Sequence, residues 1–474
     1  MAYVPWTIKN FSGGLISMLG DTLIPDNASP DCQNVISRIV GTLLKRPGQA
    51  RLTSTALGGA IRGLHAYYYG ATPTRRIVAA ANGVVSHWNG TEWTSLKTGL
   101  NTAADVLFED CVNYMVSFNG VDAPWKWDGT TVSALANAPA KGRFCVLHKE
   151  KLFTVDADTP STLVWSDSFA PETWTAKNYW DVKKGDGDEI TNLTKFIGEQ
   201  VIFKRRSIHS LRGTSLDDFR LDEMETRVGC VGKRAAVADG MRVYFVADDG
   251  FYEFNGMKAT NLSKASVPKF WDTVNKQYIH KAAVKAWGGL IWVALPTGAS
   301  TYNNAVLIYD PPNAITGKPG SFWPWTGINA SCFIDYNSGT DVKLYAGDAN
   351  AGYVNQQDTG TDDFGEATDA YWIGKTYDGG DAGYRKKTKK VLLEDSPDTT
   401  NVMTLSLSLD YGTFKHPPYY GKEGYMREFR LDIEENRWRY LQYKIAHKKT
   451  GACEIRGVTI PIKQYPGMKV RDIL

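Results

Sequence analysis

The sequence predicts an all-β protein whose main body is a β-propeller of about six or seven blades. The chain of 474 residues contains 15 Trp, 24 Tyr, 18 Phe and 45 Gly, and aromatic residues favour strands whereas glycine favours turns. Short apolar or alternating runs, for example 242–246 and 290–295, are broken by Asn-Gly and Asp-Gly pairs. Such turns recur about every 40 residues, which is the length of one four-stranded blade.

In the recurring turn, a predicted strand ends in an aromatic residue that is followed directly by Asn-Gly or Asp-Gly. Clear copies begin at Asn89, Asp128 and Asn255, and we expect these pairs at equivalent hairpin tips, as two-residue type I′ turns. The first two copies are 39 residues apart, the same step leads to Asp167, and the following 88 residues leave room for two more units. The blades are therefore predicted within residues 56–350. An ordinary β-sandwich with evenly spaced hairpins is the alternative.

Two flanks fall outside this repeat. Residues 1–55 are rich in turn formers and are predicted to form an extended arm. Residues 351–474 are predicted to form a separate β-sandwich module, because residues alternate over 402–409 and further strands follow. One short helix is predicted at 266–276, where apolar residues recur at spacings of three and four. We expect no membrane-spanning segment and no secretory signal, because no sufficiently long apolar run occurs.

The reactive side chains predict a protein without catalytic, cofactor-binding or metal-binding residues. The six cysteines lie at least 34 residues apart and are predicted to be free, mostly buried thiols. The seven histidines include no His-x-x-x-His pair, and no nucleophile elbow, P-loop or dinucleotide fingerprint occurs. The net charge of +3 is too small for general binding to nucleic acid or membranes. We therefore predict that the chain is not an enzyme and folds without a metal or organic cofactor.

Two acidic turns are candidate sites. Residues 185–189, Gly-Asp-Gly-Asp-Glu, offer the clustered oxygen ligands that cations prefer, but they lack the spacing of a calcium loop, so a solvated turn is favoured. Residues 166–174 faintly resemble the Asp-box turns of sialidase-type propellers, although the Asp is misplaced and the Gly is missing. We predict a structural turn in which Asp167 binds local N–H groups and Trp174 packs inward.

A run of basic residues is the candidate interaction site. It follows the stretch 341–381, which carries nine acidic residues against two lysines. Such a run could bind a phosphate backbone, dock on an acidic partner or simply form a solvated face. We predict that it pairs with the acidic stretch of a neighbouring copy. The residues concerned are Arg385, Lys386, Lys387, Lys389 and Lys390.

Several short segments together resemble a known family. They are Phe-Ser-Gly-Gly-Leu at 11–15, Asp-Cys-Gln-Asn-Val at 31–35, Leu-Lys-Arg-Pro-Gly at 44–48, and the segments 201–208, 211–213, 229–231, 249–256 and 347–354. The pattern is similar to the tail hub or nozzle proteins of short-tailed bacteriophages, which are also called DNA-stabilisation proteins. The resemblance covers most of the chain as scattered signatures and includes no single diagnostic motif.

The resemblance implies a structural virion protein without catalytic residues. Members of the family form a six-fold ring in the phage tail below the portal and its adaptor, retain the packaged double-stranded DNA, form part of the ejection channel and anchor fibres, spikes or a needle. The protein would be made in the cytoplasm of a bacterial host and reside in the virion. We expect the ring contacts in the flanks 1–55 and 351–474. The alternative is a carbohydrate-binding or glycan-hydrolysing propeller with paired carboxylates in a deep pocket.

Overall fold

The computed structural model describes residues 3–315, 317–396, 403–423, 425–431 and 437–464. Over these residues the predicted fold class is confirmed: a β-propeller, here of seven blades, carries a β-sandwich. The strands that precede the first blade are short. They are β1 (Val4–Ile8), β2 (Gly14–Leu15), β3 (Ala28–Ser29), β4 (Asp31–Gln33), β5 (Val35–Ile36), β6 (Leu43–Lys45) and β7 (Ala50–Arg51).

The first three blades are four-stranded antiparallel sheets in which strands that follow one another in the chain are neighbours. Blade 1 contains β8 (Ile61–Tyr69), β9 (Thr74–Ala81), β10 (Val84–Trp88) and β11 (Trp93–Lys97). Blade 2 contains β12 (Leu107–Cys111), β13 (Tyr114–Phe118), β14 (Trp125–Trp127) and β15 (Val132–Ala134). Blade 3 contains β16 (Val146–His148), β17 (Lys151–Val155), β18 (Thr162–Trp165) and β19 (Tyr179–Asp181).

The next three blades repeat this order. Blade 4 contains β20 (Ile190–Phe196), β21 (Glu199–Lys204), β22 (Ile208–Arg212) and β23 (Arg220–Glu225). Blade 5 contains β24 (Ala236–Asp239), β25 (Arg242–Ala247), β26 (Gly250–Phe254) and β27 (Ala259–Asn261), followed by helix α1 (Pro268–Asp272) and a 3-10 helix (Ile279–Lys281). Blade 6 contains β28 (Ala283–Trp287), β29 (Leu290–Leu295), β30 (Ala305–Asp310) and β31 (Ser321–Thr326). The predicted helix at 266–276 is thus confirmed as the single turn α1.

Blade 7 closes the ring with a strand from the other side of the chain. Its own segment supplies β32 (Ala330–Asn337), β33 (Val342–Asp348) and β34 (Val354–Gln356), and β7 pairs with β34 as the fourth strand. The first strand of each blade is innermost, and β32 packs beside β8 of blade 1. The hydroxyl of Ser331 donates to the carbonyl oxygen of Ile61 at 2.7 Å across this junction. The segment before the first blade therefore holds the last blade in place.

The sandwich is built from both ends of the chain. Its later strands are β35 (Ala370–Ile373), β36 (Lys386–Lys387), β37 (Lys390–Asp395), β38 (Thr404–Leu409), β39 (Tyr419–Glu423), β40 (Met426–Arg430), β41 (Arg437–Trp438), β42 (Leu441–His447) and β43 (Glu454–Gln464). One sheet has the order β39-β40-β37-β43-β36-β41, with β1 and β6 also paired to β43 and β5 paired to β6. The other sheet has the order β38-β42-β35-β4.

The segment 1–55, predicted as an extended arm, is therefore distributed over both parts of the fold. Strands β1, β4, β5 and β6 complete the sandwich, and β7 completes blade 7. The physical reason is that short strands need partners for their backbone N–H and C=O groups, and for β1, β4, β6 and β7 these partners lie more than 300 residues away. The strand pairing thus does not follow the predicted divisions at residues 55 and 350.

One apolar core runs from the propeller into the sandwich. Trp323 of β31 and Trp372 of β35 are fully buried, and their ring centroids lie 6.1 Å apart. Phe11 packs edge-on against Trp372 at 5.7 Å. Within the blades the middle strands are covered on both faces, which explains continuous apolar runs such as that of β29, in which every residue is buried.

The predicted hairpin tips are confirmed, with a different turn geometry. The turns that begin at Asn89, Asp128 and Asn255 each connect the third and fourth strands of a blade. Each loop has four residues, and the Oδ1 atom of its first residue accepts hydrogen bonds from the backbone N–H groups two and three positions later, at 2.7–3.0 Å. Only the glycine of each loop has a left-handed φ, for example 107° at Gly90. A type I′ turn needs two residues with left-handed φ, and these loops have one. The hydrogen bonds from the backbone to the Asn or Asp side chain stabilise the loop in a different turn.

Candidate functional site

The inner strands bring a set of charged residues to one mouth of the central channel. Neighbouring blades bind each other near the starts of their inner strands: the Val106 N–H donates to the Arg62 carbonyl oxygen at 2.9 Å, and the Val284 N–H donates to the Arg234 carbonyl oxygen at 2.8 Å. Residues at or just before the inner strands therefore converge. We call this set the mouth cluster: Arg62, Asp105, Arg143, Glu189, Lys233, Arg234 and Lys281.

Arg234 lies across the channel opening. Its side chain comes from blade 5, but its guanidinium donates to the carbonyl oxygens of Arg62 in blade 1, Val106 before blade 2 at 3.1 Å and Ser331 in blade 7 at 3.4 Å. It also lies 3.3 Å from the carboxylate of Asp105. One side chain thus ties four blades together and closes the channel at this end.

The electrostatics of the mouth are dominated by positive charge. Burial opposes ionisation of Asp105, but Arg234, Lys233 and Arg62 lower the pKa of its carboxyl overall. Burial lowers the pKa of Lys233 to about 8 although Asp105 acts in the opposite direction. The sequence carries a signal for this cluster that motif searches miss, because a charged residue precedes or begins the inner strand of each of the first six blades.

Further inside the channel the charges pair with one another. Lys195 of β20 and Glu109 of β12 form an ion pair at 2.6 Å, which joins blades 4 and 2 across blade 3. His65 contacts Asp110 at 2.7 Å, and Lys285 pairs with Asp335 in the next blade. Each of these carboxylates has a basic partner. This differs from the glycosidase arrangement in the alternative hypothesis, where two carboxyl groups flank the substrate bond.

A cleft of about 540 Å³ opens between the loops of blades 5 and 6 and the N-terminal segment. It contains Asp239, Arg242, Asp310 and Lys318. Burial raises the pKa of Asp310, and the Lys318 ammonium, which bonds to its carboxylate, opposes that rise. The cleft is the feature nearest to the pocket that a carbohydrate-active propeller requires, and that hypothesis stays a prediction.

The basic run does not form one continuous surface. Strand β36 pairs with β41 and β43, so its residues alternate between the core and the outside. Lys386 is fully buried, and its ammonium donates to the carbonyl oxygen of Asp381. Lys390 pairs with Glu428 at 2.9 Å. Arg385 and Lys389 are exposed and Lys387 is half-buried, which leaves those three to contact a partner.

The acidic stretch finds basic partners within the same chain. Asp358 pairs with Arg38 at 2.6 Å, Asp363 with the buried Arg46 at 2.5 Å, and Asp369 with Lys448 at 3.0 Å. These three carboxylates are engaged by the chain itself. The other six acidic residues of the stretch are not in these pairs, so the predicted pairing with the basic run of a neighbouring copy stays a prediction.

The two acidic turns bind groups of the protein itself. In residues 185–189, the Asp186 carboxylate accepts from the Lys204 ammonium at 2.6 Å, and the Asp188 carboxylate accepts from three backbone N–H groups at 2.9–3.2 Å. Asp167 accepts from Asn178 and Thr175, which is the structural role predicted for it. Trp174 is half-buried, and its indole N–H donates to the Pro171 carbonyl oxygen.

Several other predictions concern the reactive side chains and the membrane. All six cysteines are free and buried, as predicted. Burial is the main cause that raises their thiol pKa values, to about 11 for Cys111 and about 12 for Cys230. Among the described residues no group of three potential ligands is arranged for a metal ion. Within the same part of the chain no helix has the length and apolar character needed to span a bilayer.

An exposed aromatic surface on the sandwich was not predicted. Tyr419 and Tyr420 lie on β39, Tyr425 directly precedes β40, and Tyr411 and Phe414 lie in the loop before β39; all five are exposed. We call them the tyrosine-rich surface. The Arg430 guanidinium lies 3.1 Å from the ring centroid of Tyr420. The sequence signal of the tyrosine-rich surface is an aromatic-rich segment that contains Pro-Pro and Gly. This segment lacks the alternation of apolar and polar residues that a strand buried on one face shows.

Comparison with known proteins adds only distant structural likeness. No family model matches the chain, and no curated protein matches it. The chain is similar to the crystal structure of a computationally designed protein, Ika8, with 12% identity, a TM-score of 0.41, and coverage of 65% of this chain and 99% of that one. It is also similar to YCF48 in a structure with a bound D1 peptide, with 10% identity, a TM-score of 0.40, and coverage of 66% and 97%.

Proposed function

We propose that this chain is a structural protein of a bacteriophage virion that assembles into a closed ring in the tail, as the hub or nozzle below the portal and its adaptor. In this role it retains packaged double-stranded DNA, forms part of the ejection channel and anchors fibres, spikes or a needle. The segment resemblance described above suggests this role. Each copy contributes surfaces for contact with its neighbours and carries out no chemistry.

The distribution of exposed apolar side chains is the observation that carries the proposal. Twelve of the 23 large exposed apolar residues lie in the flanks, which make up about a third of the described chain. Exposed apolar groups of this kind mark interaction surfaces. The twelve are Val4, Met18, Leu19, Leu23, Ile39, Val40, Phe364, Tyr411, Phe414, Tyr419, Tyr420 and Tyr425.

The tyrosine-rich surface has the composition of an interface centre. Tyrosine and arginine are enriched among residues that carry most of the binding energy in protein interfaces. Tyr419 packs against Phe429 with a centroid separation of 5.7 Å, and Tyr411 against Tyr440 at 5.0 Å. These rings are therefore fixed in place before a partner binds, which lowers the entropic cost of association.

The closed propeller mouth fits a ring assembled from several copies. Arg234 lies across the propeller's own channel, so DNA would pass through the axis of the assembly and not through the axis of one propeller. Head-to-tail contacts produce a ring when the rotation from one copy to the next brings the last copy back to the first. The expected number of six copies rests on the family resemblance.

Native mass spectrometry and negative-stain electron microscopy of the purified protein test the proposal. We expect closed rings, and we expect the triple variant Tyr419→Ser, Tyr420→Ser, Tyr425→Ser to remain folded but mostly monomeric. The matched control replaces three exposed apolar residues of the propeller: Val112→Ser, Phe169→Ser and Tyr179→Ser. A parent protein that stays monomeric at every concentration, or that cleaves glycans, would overturn the proposal.

The exposed part of the basic run permits a second test of docking. We expect Arg385→Ser with Lys389→Ser to weaken association with the ring or the neck proteins, and the difference from the parent to be largest at low salt, where exposed charges are least screened. The control removes two exposed lysines of the propeller, Lys97→Ser and Lys177→Ser. Equal association of the two variants at every salt concentration would show that the run is a solvated face.

A further inference from the structure

The cleft of about 540 Å³ between blades 5 and 6 has an apolar rim, and we call it the blade 5–6 cleft. Val40 of the N-terminal segment and Met241 in the turn between β24 and β25 both line it, and they are 48% and 76% exposed. Pro311 and Pro312 continue the lining in the loop after β30, and Ile315 of the same loop is exposed. A concave surface with exposed apolar edges is suited to receive large side chains of another protein.

The walls of the blade 5–6 cleft are fixed before any partner binds. The Lys318 ammonium donates to the Asp310 carboxylate and to the Ser37 carbonyl oxygen, so it joins the loop of blade 6 to the N-terminal segment. The Gly288-Gly289 turn between β28 and β29 also lines the cleft. Both glycines have left-handed φ values, 59° and 76°, and both face open space. A cleft that is already formed lowers the entropic cost of association.

One carboxylate of the blade 5–6 cleft lacks a basic partner. The three basic residues that line the cleft each pair with a carboxylate of the same chain: Arg38 with Asp358, Arg242 with Glu253, and Lys318 with Asp310. Asp239 also lines the cleft, at the exposed end of β24, and its side chain forms no hydrogen bond or ion pair with any residue that the structure describes. A partner that presents a cation among apolar side chains is therefore complementary to this cleft.

The tyrosine-rich surface has this composition. The segment that carries it, residues 411–430, contains four basic residues and two acidic ones. The Arg430 side chain is 51% exposed, and its Nε donates to Glu428 at 2.7 Å. A guanidinium has five N–H donors, so Arg430 keeps donors for an acceptor on another molecule. The tyrosine-rich surface thus offers aromatic rings around a cation.

A ring of identical copies needs two different contact surfaces on each copy. Contact of one surface with itself closes a pair of copies, whereas head-to-tail contact between two unlike surfaces can close a larger ring. The tyrosine-rich surface lies in the C-terminal flank, and the N-terminal flank forms part of the blade 5–6 cleft. Both surfaces therefore involve the flanks in which ring contacts are expected, and their unbalanced charges have opposite sign.

We propose that the tyrosine-rich surface of one copy docks in the blade 5–6 cleft of the next copy, with Arg430 opposite Asp239. The inference rests on the proposed function, because it names the partner of the tyrosine-rich surface within the ring. The aromatic rings would cover Val40 and Met241, which are exposed in a single chain. The opposite charges would set the orientation of the two copies more than they add affinity.

Photo-cross-linking within the assembled ring tests the contact directly. Benzoylphenylalanine replaces Tyr420 in a minority of copies, which assemble with an excess of parent chains that carry a heavy nitrogen isotope. After irradiation, mass spectrometry should find position 420 linked to heavy peptides that contain Val40, Met241 or Pro312. Links only to heavy peptides from other regions, or none above a control kept in the dark, would overturn the inference.

Serine variants of the cleft rim supply a second readout. Val40→Ser with Met241→Ser should raise the protein concentration at which rings form by about tenfold or more, while circular dichroism shows the variant folded. The control is Val112→Ser with Ile197→Ser, in the corresponding turns of blades 2 and 4, and it should assemble like the parent. Normal rings from the cleft variant would overturn the inference and leave the proposed function standing, whereas a parent that never forms rings would overturn both.

A double-mutant cycle tests the assigned ion pair. Asp239→Asn and Arg430→Gln should each weaken assembly by about threefold or more. The double variant should lose no more than the larger single loss, because both substitutions remove the same contact. Lys177→Gln, at an exposed lysine of blade 3, should not change the effect of Asp239→Asn. Fully additive losses for Asp239→Asn and Arg430→Gln would overturn the proposed contact.

Discussion

The propeller and the sandwich are stabilised in different ways. In the propeller each strand pairs with its neighbour in sequence, apart from β7 in blade 7. In the sandwich, strands from the two ends of the chain alternate, as β1 beside β43 and β4 beside β35. Buried charges accompany this non-local pairing: Asp395 is completely buried and contacts Arg427 at 2.8 Å and Lys422 at 3.2 Å.

The difference indicates how each part should respond to substitution. A repeat distributes its stability over many similar contacts, so single polar groups on the propeller surface are not critical. The sandwich and its junction with the propeller depend on a few buried ion pairs. Removal of one partner of such a pair leaves the other charged and desolvated. Single polar substitutions should therefore cost much more in the junction and the sandwich than on the propeller surface.

The largest effect is expected at Arg46, in the junction. Its buried guanidinium contacts Asp363, Asn34 and the carbonyl oxygen of Thr326 in blade 6. Arg46→Met should lower the free energy of unfolding by about 3–5 kcal/mol, because it leaves the Asp363 carboxylate without its buried cationic partner. Urea unfolding followed by circular dichroism measures the change. The exposed pair Arg38–Asp358 provides the control, and Arg38→Met should cost about 1 kcal/mol or less.

The next effect is expected at Asp395, inside the sandwich. Asp395→Asn keeps the shape but removes the charge that binds Arg427, so we expect a loss of about 1.5–3 kcal/mol. The matched propeller variant is Asp158→Asn, which breaks the exposed pair with Lys141, and it should change the free energy of unfolding by no more than about 1 kcal/mol. Equal losses in the two variants would contradict the contrast between the regions.

A smaller effect is expected at the hairpin tips of the blades. Asn89→Ala and Asn255→Ala each remove the Oδ1 acceptor of two backbone N–H groups. These loops are exposed to water, which can replace the lost acceptor, so each variant should lose about 0.5–1.5 kcal/mol. The two losses should agree within error because the turns are equivalent. Thermal and urea unfolding measure them, and a loss confined to one turn would contradict the equivalence.

The last effect is absent at neutral pH and appears on acidification. Burial, with Lys149 and Lys195, lowers the pKa of His148 in blade 3 from its usual value near 6.5 to about 4. The unfolded chain therefore takes up a proton that the folded chain excludes, so the free energy of unfolding falls as the pH drops from 6.5 towards 4. His148→Leu should reduce this dependence. Urea unfolding of parent and variant at a series of pH values between 7 and 4 measures the effect. Identical slopes of the free energy of unfolding against pH in the two proteins would contradict a lowered pKa of His148.

The propeller could be predicted from the sequence because its information is local. Asn89-Gly90 and its equivalents specify a turn within six residues, and the repeat at about 40 residues specifies the blade. The exact turn type was not accessible, because it depends on whether Asn89 adopts a left-handed φ or binds through its side chain. The fourth strand of blade 7 was also missed, since Ala50 and Arg51 have no strand signal apart from their partners at 355 and 356.

The junction between propeller and sandwich and the contacts within the mouth cluster could not be predicted, because both bring together residues that lie far apart in the sequence. Arg46 lies in Lys-Arg-Pro-Gly, a sequence typical of an exposed turn, and its burial depends on Asp363, which is 317 positions later. Lys386 looks solvated within its basic run, yet it is buried because β36 lies between two strands. The channel mouth collects residues from separate blades, and only the ring closure places Arg234 beside Asp105.

The pairing of β1 with β43 has a consequence for synthesis. Val4 lies opposite Ile462, so the first strand leaves the ribosome long before its partner exists. At about 5–20 residues per second, translation of the intervening chain takes roughly 20–90 s. During that interval the blades can fold in order, whereas Ile8, Phe11 and the strands up to β6 lack their apolar partners. Until β43 is made, the nascent chain thus carries exposed apolar segments around β1, and a chaperone or early contact with a finished blade would have to shield them.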